Sequence, residues 1–129
     1  MSFKPEWDQA AKIRTLAPLL LNCNAAGGEL TWTGLPAKYR VISLYAFDAS
    51  AAPVLATAGL YTATGGGGTT LVTAATLTAL TAATKMLNST LAAGATSDYQ
   101  TAATLFLRNA VAQGTALTVS FSLVIQDLT

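Results

Sequence analysis

The segment LTVSFSLVI, residues 117–125, alternates between apolar and hydroxyl-bearing side chains. The apolar positions are every second residue, namely Leu117, Val119, Phe121, Leu123 and Ile125, and Thr118, Ser120 and Ser122 lie between them. Side chains on a strand repeat their direction every two residues. The pattern therefore predicts a strand with one face in a core and the other towards solvent.

The segment before it, TAATLFLRNA (residues 101–110), predicts a second strand. The connection between the two, VAQGTA, contains Gly114 and is typical of a turn. From the sequence we expect these two strands to form a hairpin.

The segment KYRVISLYAF, residues 38–47, is apolar on both sides of a predicted strand. Strict alternation would place Val41, Tyr45 and Phe47 on one face and Ile42, Leu44 and Ala46 on the other. A strand that is apolar on both faces is expected to be covered on both. In a small all-β domain, another subunit often provides the second cover.

Weaker strand signals lie between turn-forming stretches such as NAAGG, DASAAP and TGGGG. They cover residues 16–22, 29–33, 54–62, 69–73 and 85–91. With the three stronger segments this gives about eight short strands. The pattern predicts an all-β antiparallel sandwich of jelly-roll type. Residues 71–87 also allow a helix, because Leu77, Leu80, Thr84 and Leu87 recur at helical spacing.

The N-terminal segment FKPEWDQAAKIR carries five of the thirteen charged residues of the chain. Residues 1–15 are predicted to form an arm or short helix, and residues 16–129 a single sandwich domain. Phe3, Trp7, Ile13 and Arg14 are the predicted docking residues of this arm on a neighbouring subunit. The alternative is that these side chains cover the end of their own domain.

Only 10% of the 129 residues are charged, and 26 Ala and 20 Thr dominate the composition. A typical soluble domain has about 25% charged residues, so we expect much of this surface to be covered by neighbours. No stretch is long and apolar enough for a membrane-spanning helix. A net charge of +1 with scattered basic residues gives no nucleic-acid interface.

The chain offers few groups for catalysis. It has no histidine, a single cysteine (Cys23) and six acidic residues far apart in sequence. Histidine-based triads and metal sites are therefore absent. We expect no enzymatic activity, no cofactor and no metal, and Cys23 is interpreted as a structural thiol.

Four consecutive glycines, residues 65–68, precede Thr69 and Thr70. A phosphate-binding P-loop needs a lysine directly after its last glycine, but the next lysine here is Lys85. The run is interpreted as the tip of a hairpin, either mobile or held by a neighbour.

The stretches GLYTATGGGGTTLV, LTALTAATK and TLFLRNAVAQGTALTVSFSLVIQD resemble small Ala/Thr/Gly-rich β-sandwich proteins in the virions of tailed bacteriophages. These proteins decorate or cement the capsid, or form head fibres. The resemblance covers roughly residues 28–129 and implies a multi-copy oligomer in the virion, made in the cytoplasm of the host bacterium. The implied partners are copies of the chain and other virion proteins such as the major capsid protein, without direct contact to nucleic acid or membrane.

Two alternative functions remain open from the sequence. The first is a receptor- or glycan-binding module of a fibre or tail tip, in which Trp32, Tyr39, Tyr61 and Tyr99 would stack on sugars. The second is the major coat subunit of a small virus.

Overall fold

A computed structural model describes residues 12–81 and 84–129. This part of the chain folds into nine strands and one short helix, α1. Their bounds are β1 Ile13–Thr15, β2 Leu19–Asn22, β3 Glu29–Trp32, β4 Tyr39–Phe47, β5 Thr57–Ala63, β6 Gly67–Thr76, β7 Met86–Asn88, α1 Ala93–Thr96, β8 Leu105–Val111 and β9 Thr118–Asp127.

The strands form two antiparallel sheets that pack as a sandwich. Sheet A has the order β1/β2–β9–β4–β7, with β1 and β2 pairing with successive parts of β9. Sheet B has the order β3–β8–β5–β6. The pairs β2–β9, β3–β8, β4–β7 and β5–β6 are nested from the ends of the chain inwards. This nesting is a jelly roll, and it confirms the predicted fold class.

The core lies between the sheets and is lined by alternate residues of the long strands. In β9 the side chains of Val119, Phe121, Leu123 and Ile125 are fully buried, as the alternation predicted. Leu105 and Leu107 of β8 face them from the other sheet, also fully buried.

The predicted hairpin between residues 101–110 and 117–125 is wrong, because β8 and β9 lie in different sheets. In each of the two strands every second side chain is buried. The strands can therefore face one another across the core instead of pairing side by side. Gln113 anchors the crossing: its Oε1 accepts hydrogen bonds from the backbone N–H groups of Val54, Leu55 and Ala56 at 3.0, 3.0 and 3.2 Å.

The predicted faces of β4 are also wrong, because a bulge between Val41 and Ser43 shifts the alternation. Before the bulge Val41 is buried, whereas after it Leu44 and Ala46 are buried. Tyr45 and Phe47 are half-buried and therefore lie on the opposite face from Val41.

Residues 71–87 contain no helix within their described part. Strand β6 continues to Thr76, and β7 begins at Met86. Between them, Leu77 and Leu80 form a turn in which the N–H of Leu80 donates to the Leu77 carbonyl at 3.0 Å. Both leucines are buried, which accounts for the apolar spacing that suggested a helix.

The glycine run is the tip of the β5–β6 hairpin, as predicted. Residues 64–66 form a single 3-10 turn. The Thr64 hydroxyl donates to Glu29 Oε1 at 2.6 Å, and the Gly65 N–H donates to Glu29 Oε2 at 2.9 Å. Since Glu29 belongs to β3 and pairs with Arg108 of β8, the tip reaches across β8. The neighbour that holds this loop is the chain's own β3.

Candidate functional site

Two of the four predicted arm residues, Phe3 and Trp7, lie outside the described residues. The other two, Ile13 and Arg14, belong to β1 and pair with Gln126 and Ile125 of β9. Ile13 is 49% exposed. The described part of the predicted arm is therefore an edge strand of sheet A, and the docking role stays a prediction.

Arg14 forms an ion pair with Asp127, with 2.8 Å between Nη2 and Oδ2. The hydroxyl and the backbone N–H of Thr129 also donate to Asp127 Oδ1. These hydrogen bonds from Thr129, followed by the charges of Arg14 and Lys12, lower the pKa of the Asp127 carboxyl. Asp127 therefore joins the two ends of the described chain.

The solvent face of sheet A carries large apolar side chains, and we call it the A face. The register of the sheet places these side chains on it: Leu20, Tyr45, Phe47, Met86, Ser120, Ser122 and Val124. Leu20, Ser120, Phe47 and Met86 are opposite one another on four adjacent strands. Leu20 and Met86 are 61% and 58% exposed.

The centre of the A face is uncharged. Ser122 lies opposite Tyr45, which in turn lies opposite Asn88, and none of these carries a charge. Arg40, opposite Gln126, is placed at one end of the face. Such a surface combines aromatic side chains with small hydroxyl groups and can approach another surface without desolvating a charge.

Three of the four aromatic residues proposed for sugar stacking are buried. Trp32 is 5% exposed and its Nε1 donates to the Ala17 carbonyl at 2.8 Å. Tyr39 is fully buried and its hydroxyl donates to the Ala102 carbonyl at 2.7 Å. Burial raises the pKa of Tyr39 to about 12. Tyr61 is 8% exposed. Tyr99 is 48% exposed, and the Lys38 ammonium lies 4.3 Å from its ring centroid.

Tyr99 belongs to a polar cleft of about 450 Å³, which we call the hydroxyl cleft. It is lined by Thr62, Thr69, Gly94, Ser97, Asp98, Tyr99, Gln100, Thr101 and Ala102. Apart from Tyr99, none of these residues was predicted from the sequence to bind a ligand. The available signal was the polar run SDYQ around Tyr99, residues 97–100, which lies between two predicted strands.

Other chemistry is sparse in the part of the chain that the structure describes. Cys23 is fully buried, and burial raises the pKa of its thiol to about 11. Within residues 12–81 and 84–129, no group of three or more His, Cys, Asp and Glu side chains is arranged to hold a metal ion. The same residues include no helix long and apolar enough to cross a membrane.

Comparisons with known proteins found no relative, so the function is inferred from the geometry of the A face and the hydroxyl cleft. No protein-family model matches the chain. No curated protein and no solved structure is significantly similar to it.

Proposed function

We propose that this protein is a non-enzymatic structural subunit of a bacteriophage virion that assembles with copies of itself through the A face. The observation that carries the proposal is the row of half-exposed and exposed apolar side chains across a sheet face whose centre is uncharged. Contiguous apolar surface of this kind marks interaction sites in proteins.

A second copy of the chain is the occupant that this face suits best. Around a two-fold axis through its uncharged centre, the face can meet itself without opposing like charges there, as an isologous contact requires. The five strands of sheet A contain 29 residues, which at about 3.3 Å by 4.8 Å per residue give a planar area of about 460 Å². Side chains that stand out from the sheet add to this area, which then matches the smaller specific interfaces, those that bury less than about 600 Å² per partner.

The wider role rests on composition and on the resemblance to phage virion proteins. A subunit with 10% charged residues suits a position covered by neighbours, and a jelly roll supplies broad sheet faces for such contacts. In this proposal the chain decorates or cements a capsid, neck or tail, with the major capsid protein among its partners, and it is located in the virion.

The experiment is the solution mass of the full chain, measured by light scattering behind a size-exclusion column. We expect a multiple of 13.2 kDa. The variant Ser122→Lys places a charge at the centre of the A face without touching the core, and we expect it to be monomeric. Its control is Thr31→Lys, on an exposed position of β3 in sheet B, which should keep the mass of the oligomer.

Two results would contradict the assembly proposal. One is a Ser122→Lys protein with the same oligomeric mass as the unmodified chain. The other is a monomeric chain. Hydrogen exchange in β4 would then show whether deletion of residues 1–11 uncovers the A face. An increase in exchange would assign the A face to the N-terminal segment of the same chain.

A further inference from the structure

One wall of the hydroxyl cleft belongs to sheet B, and the other is a loop that backbone hydrogen bonds attach to sheet A. Tyr39 of β4 and Gln100 exchange two backbone hydrogen bonds, at 3.0 and 2.7 Å, so the 97–102 segment is attached to sheet A. The opposite wall is Thr62 and Thr69 of the β5–β6 hairpin in sheet B. The cleft is therefore formed before any ligand arrives, which lowers the entropy cost of binding.

Gly94 permits the close approach of helix α1 to β6 at the base of this cleft. A Cβ atom at Gly94 would lie 2.6 Å from Thr69 Cγ2 and 2.8 Å from the Thr70 carbonyl oxygen. The side chain of Gln100, 7% exposed, donates from Nε2 to the Gly94 carbonyl at 2.8 Å. A buried carboxamide thus connects the helix to the wall that carries Tyr99.

The polar groups of the cleft retain hydrogen-bonding capacity. Thr62 Oγ1 accepts from the Thr69 N–H at 2.7 Å, which leaves its own O–H free to donate. Ser97 Oγ donates to the Ala93 carbonyl at 2.5 Å and keeps its acceptor lone pairs. Asp98 Oδ1 accepts from the Tyr99 N–H at 2.8 Å, and a carboxylate has further lone pairs for other donors.

The ring of Tyr99 is 48% exposed, has the Lys38 ammonium 4.3 Å from its centroid, and adds an apolar surface beside these hydroxyl and carboxylate groups. A ligand that matches this set has several hydroxyl groups on a ring with apolar C–H faces. Saccharides have this structure, since the ring can pack on an aromatic side chain while its hydroxyls donate to carboxylate and accept from Ser and Thr.

We propose that the hydroxyl cleft is a binding site for a neutral saccharide, with Tyr99 as the stacking platform and Asp98 as the acceptor for sugar hydroxyls. The site is separate from the A face and does not depend on the proposed assembly. It would allow an oligomer to present several copies of a weak sugar site, so that multivalency raises the apparent affinity.

The test is saturation-transfer NMR on the full chain with a defined panel of probes. The panel contains glucose, galactose, mannose, N-acetylglucosamine and their disaccharides. Inorganic phosphate is the anionic probe, and because it has no carbon-bound hydrogen its binding is followed by the broadening of its phosphorus-31 signal. We expect transfer to at least one saccharide, with a dissociation constant of about 1 mM. Tyr99→Ala should weaken it by about tenfold, and Asp98→Asn should weaken it as well.

The control is Val54→Ala, because Val54 is exposed to a similar extent at a different place and contributes nothing to the cleft. Circular dichroism and thermal unfolding establish that each variant is folded. The proposal is overturned if no saccharide in the panel shows transfer, or if Tyr99→Ala binds as tightly as the unmodified chain. Binding of phosphate alone would also overturn it and assign the site to an anion at Lys38.

Discussion

At the scale of single residues, Glu29 and the glycines of the β5–β6 turn together determine the conformation of this turn. The turn needs left-handed backbone, with φ of +70°, +77° and +66° at Gly65, Gly66 and Gly68. Glycine adopts these angles without the steric cost that other residues incur. The Glu29 carboxylate then accepts hydrogen bonds from the Thr64 hydroxyl and the Gly65 N–H. These bonds hold in place a glycine-rich turn that the sequence alone allowed to be mobile.

Gly68→Ala and Gly65→Ala separate backbone strain from steric collision. At Gly65 a Cβ atom would have nothing within 4 Å, whereas at Gly68 it would collide with Thr62 Oγ1 and lie 3.1 Å from Ala63 Cβ. We expect Gly65→Ala to lower the free energy of unfolding by about 1 kcal/mol. Gly68→Ala should lower it by about 2–4 kcal/mol, because overpacking adds to the strain.

Urea unfolding followed by circular dichroism measures both changes. Gly65→Ala serves as the matched control, since it has the same positive φ without the collision. Equal losses of stability in the two variants would contradict the assigned packing around Gly68.

At the scale of elements, β1 shows how a short strand is held at a sheet edge. It has three residues, all exposed, and its pairing with β9 is supported by the contact between Arg14 and Asp127. Asp127 also receives the two Thr129 hydrogen bonds. The carboxylate of one residue therefore fixes both the first described strand and the C-terminus.

The lowered pKa of Asp127 predicts a pH dependence of stability. In the unfolded chain this carboxyl titrates near about 3.9, whereas its pKa is lower in the native state. The unfolded state therefore binds the proton more readily at acidic pH. The contribution of Asp127 is fully present above about pH 5 and is lost as the pH falls through the lowered native pKa.

Urea unfolding midpoints measured between about pH 6 and pH 2 test this prediction. We expect Asp127→Asn to flatten the decline in stability at low pH. Thr129→Ala should flatten it partly, because the Thr129 hydroxyl is the largest cause of the shift. Arg14→Gln should flatten it less. An unchanged pH profile in Asp127→Asn would contradict the assignment.

At the scale of the whole molecule, the jelly roll presents two outer faces of different character. The A face is aromatic and its centre is uncharged. The outer side of sheet B is partly covered by the chain itself, since the turn at residues 64–66 reaches Glu29 on β3. In the proposed assembly the A face is therefore the sheet surface that meets the second copy, and the hydroxyl cleft lies at the side of the sandwich.

Two truncations test where the domain begins. Deletion of residues 1–11 keeps every described strand, and we expect its thermal unfolding midpoint to stay close to that of the full chain. Deletion of residues 1–14 removes most of β1 and the ion pair to Asp127. It should lower the midpoint by several degrees, since about 1 kcal/mol corresponds to roughly 2–8 °C.

Differential scanning calorimetry of both truncated chains gives the midpoints. Equal midpoints after the two deletions would show that β1 contributes nothing and that the predicted boundary at residue 15 is the better one. Unfolding of the chain that lacks residues 1–11 would show that this segment is part of the core.

The sequence by itself predicted eight of the nine described strands, all except β1, and which side chains of β9 face the core. It also determined the hairpin at the glycine run. These features depend on local pattern: alternation of side chains in β9, β-branched residues in β6, and glycines that tolerate positive φ at the turn. The class of fold followed from the number and spacing of such segments.

Only the tertiary structure decided how the strands are arranged and which surfaces result. Placing β8 and β9 in opposite sheets depends on pairing with β3 and β4, far away in sequence, and no local signal reports it. The bulge in β4 turned Tyr45 and Phe47 outwards, because one extra residue reverses the alternation. The hydroxyl cleft brings Thr62 and Thr69 close to residues 97–102. These segments are distant in sequence, so they meet only once the two sheets pack.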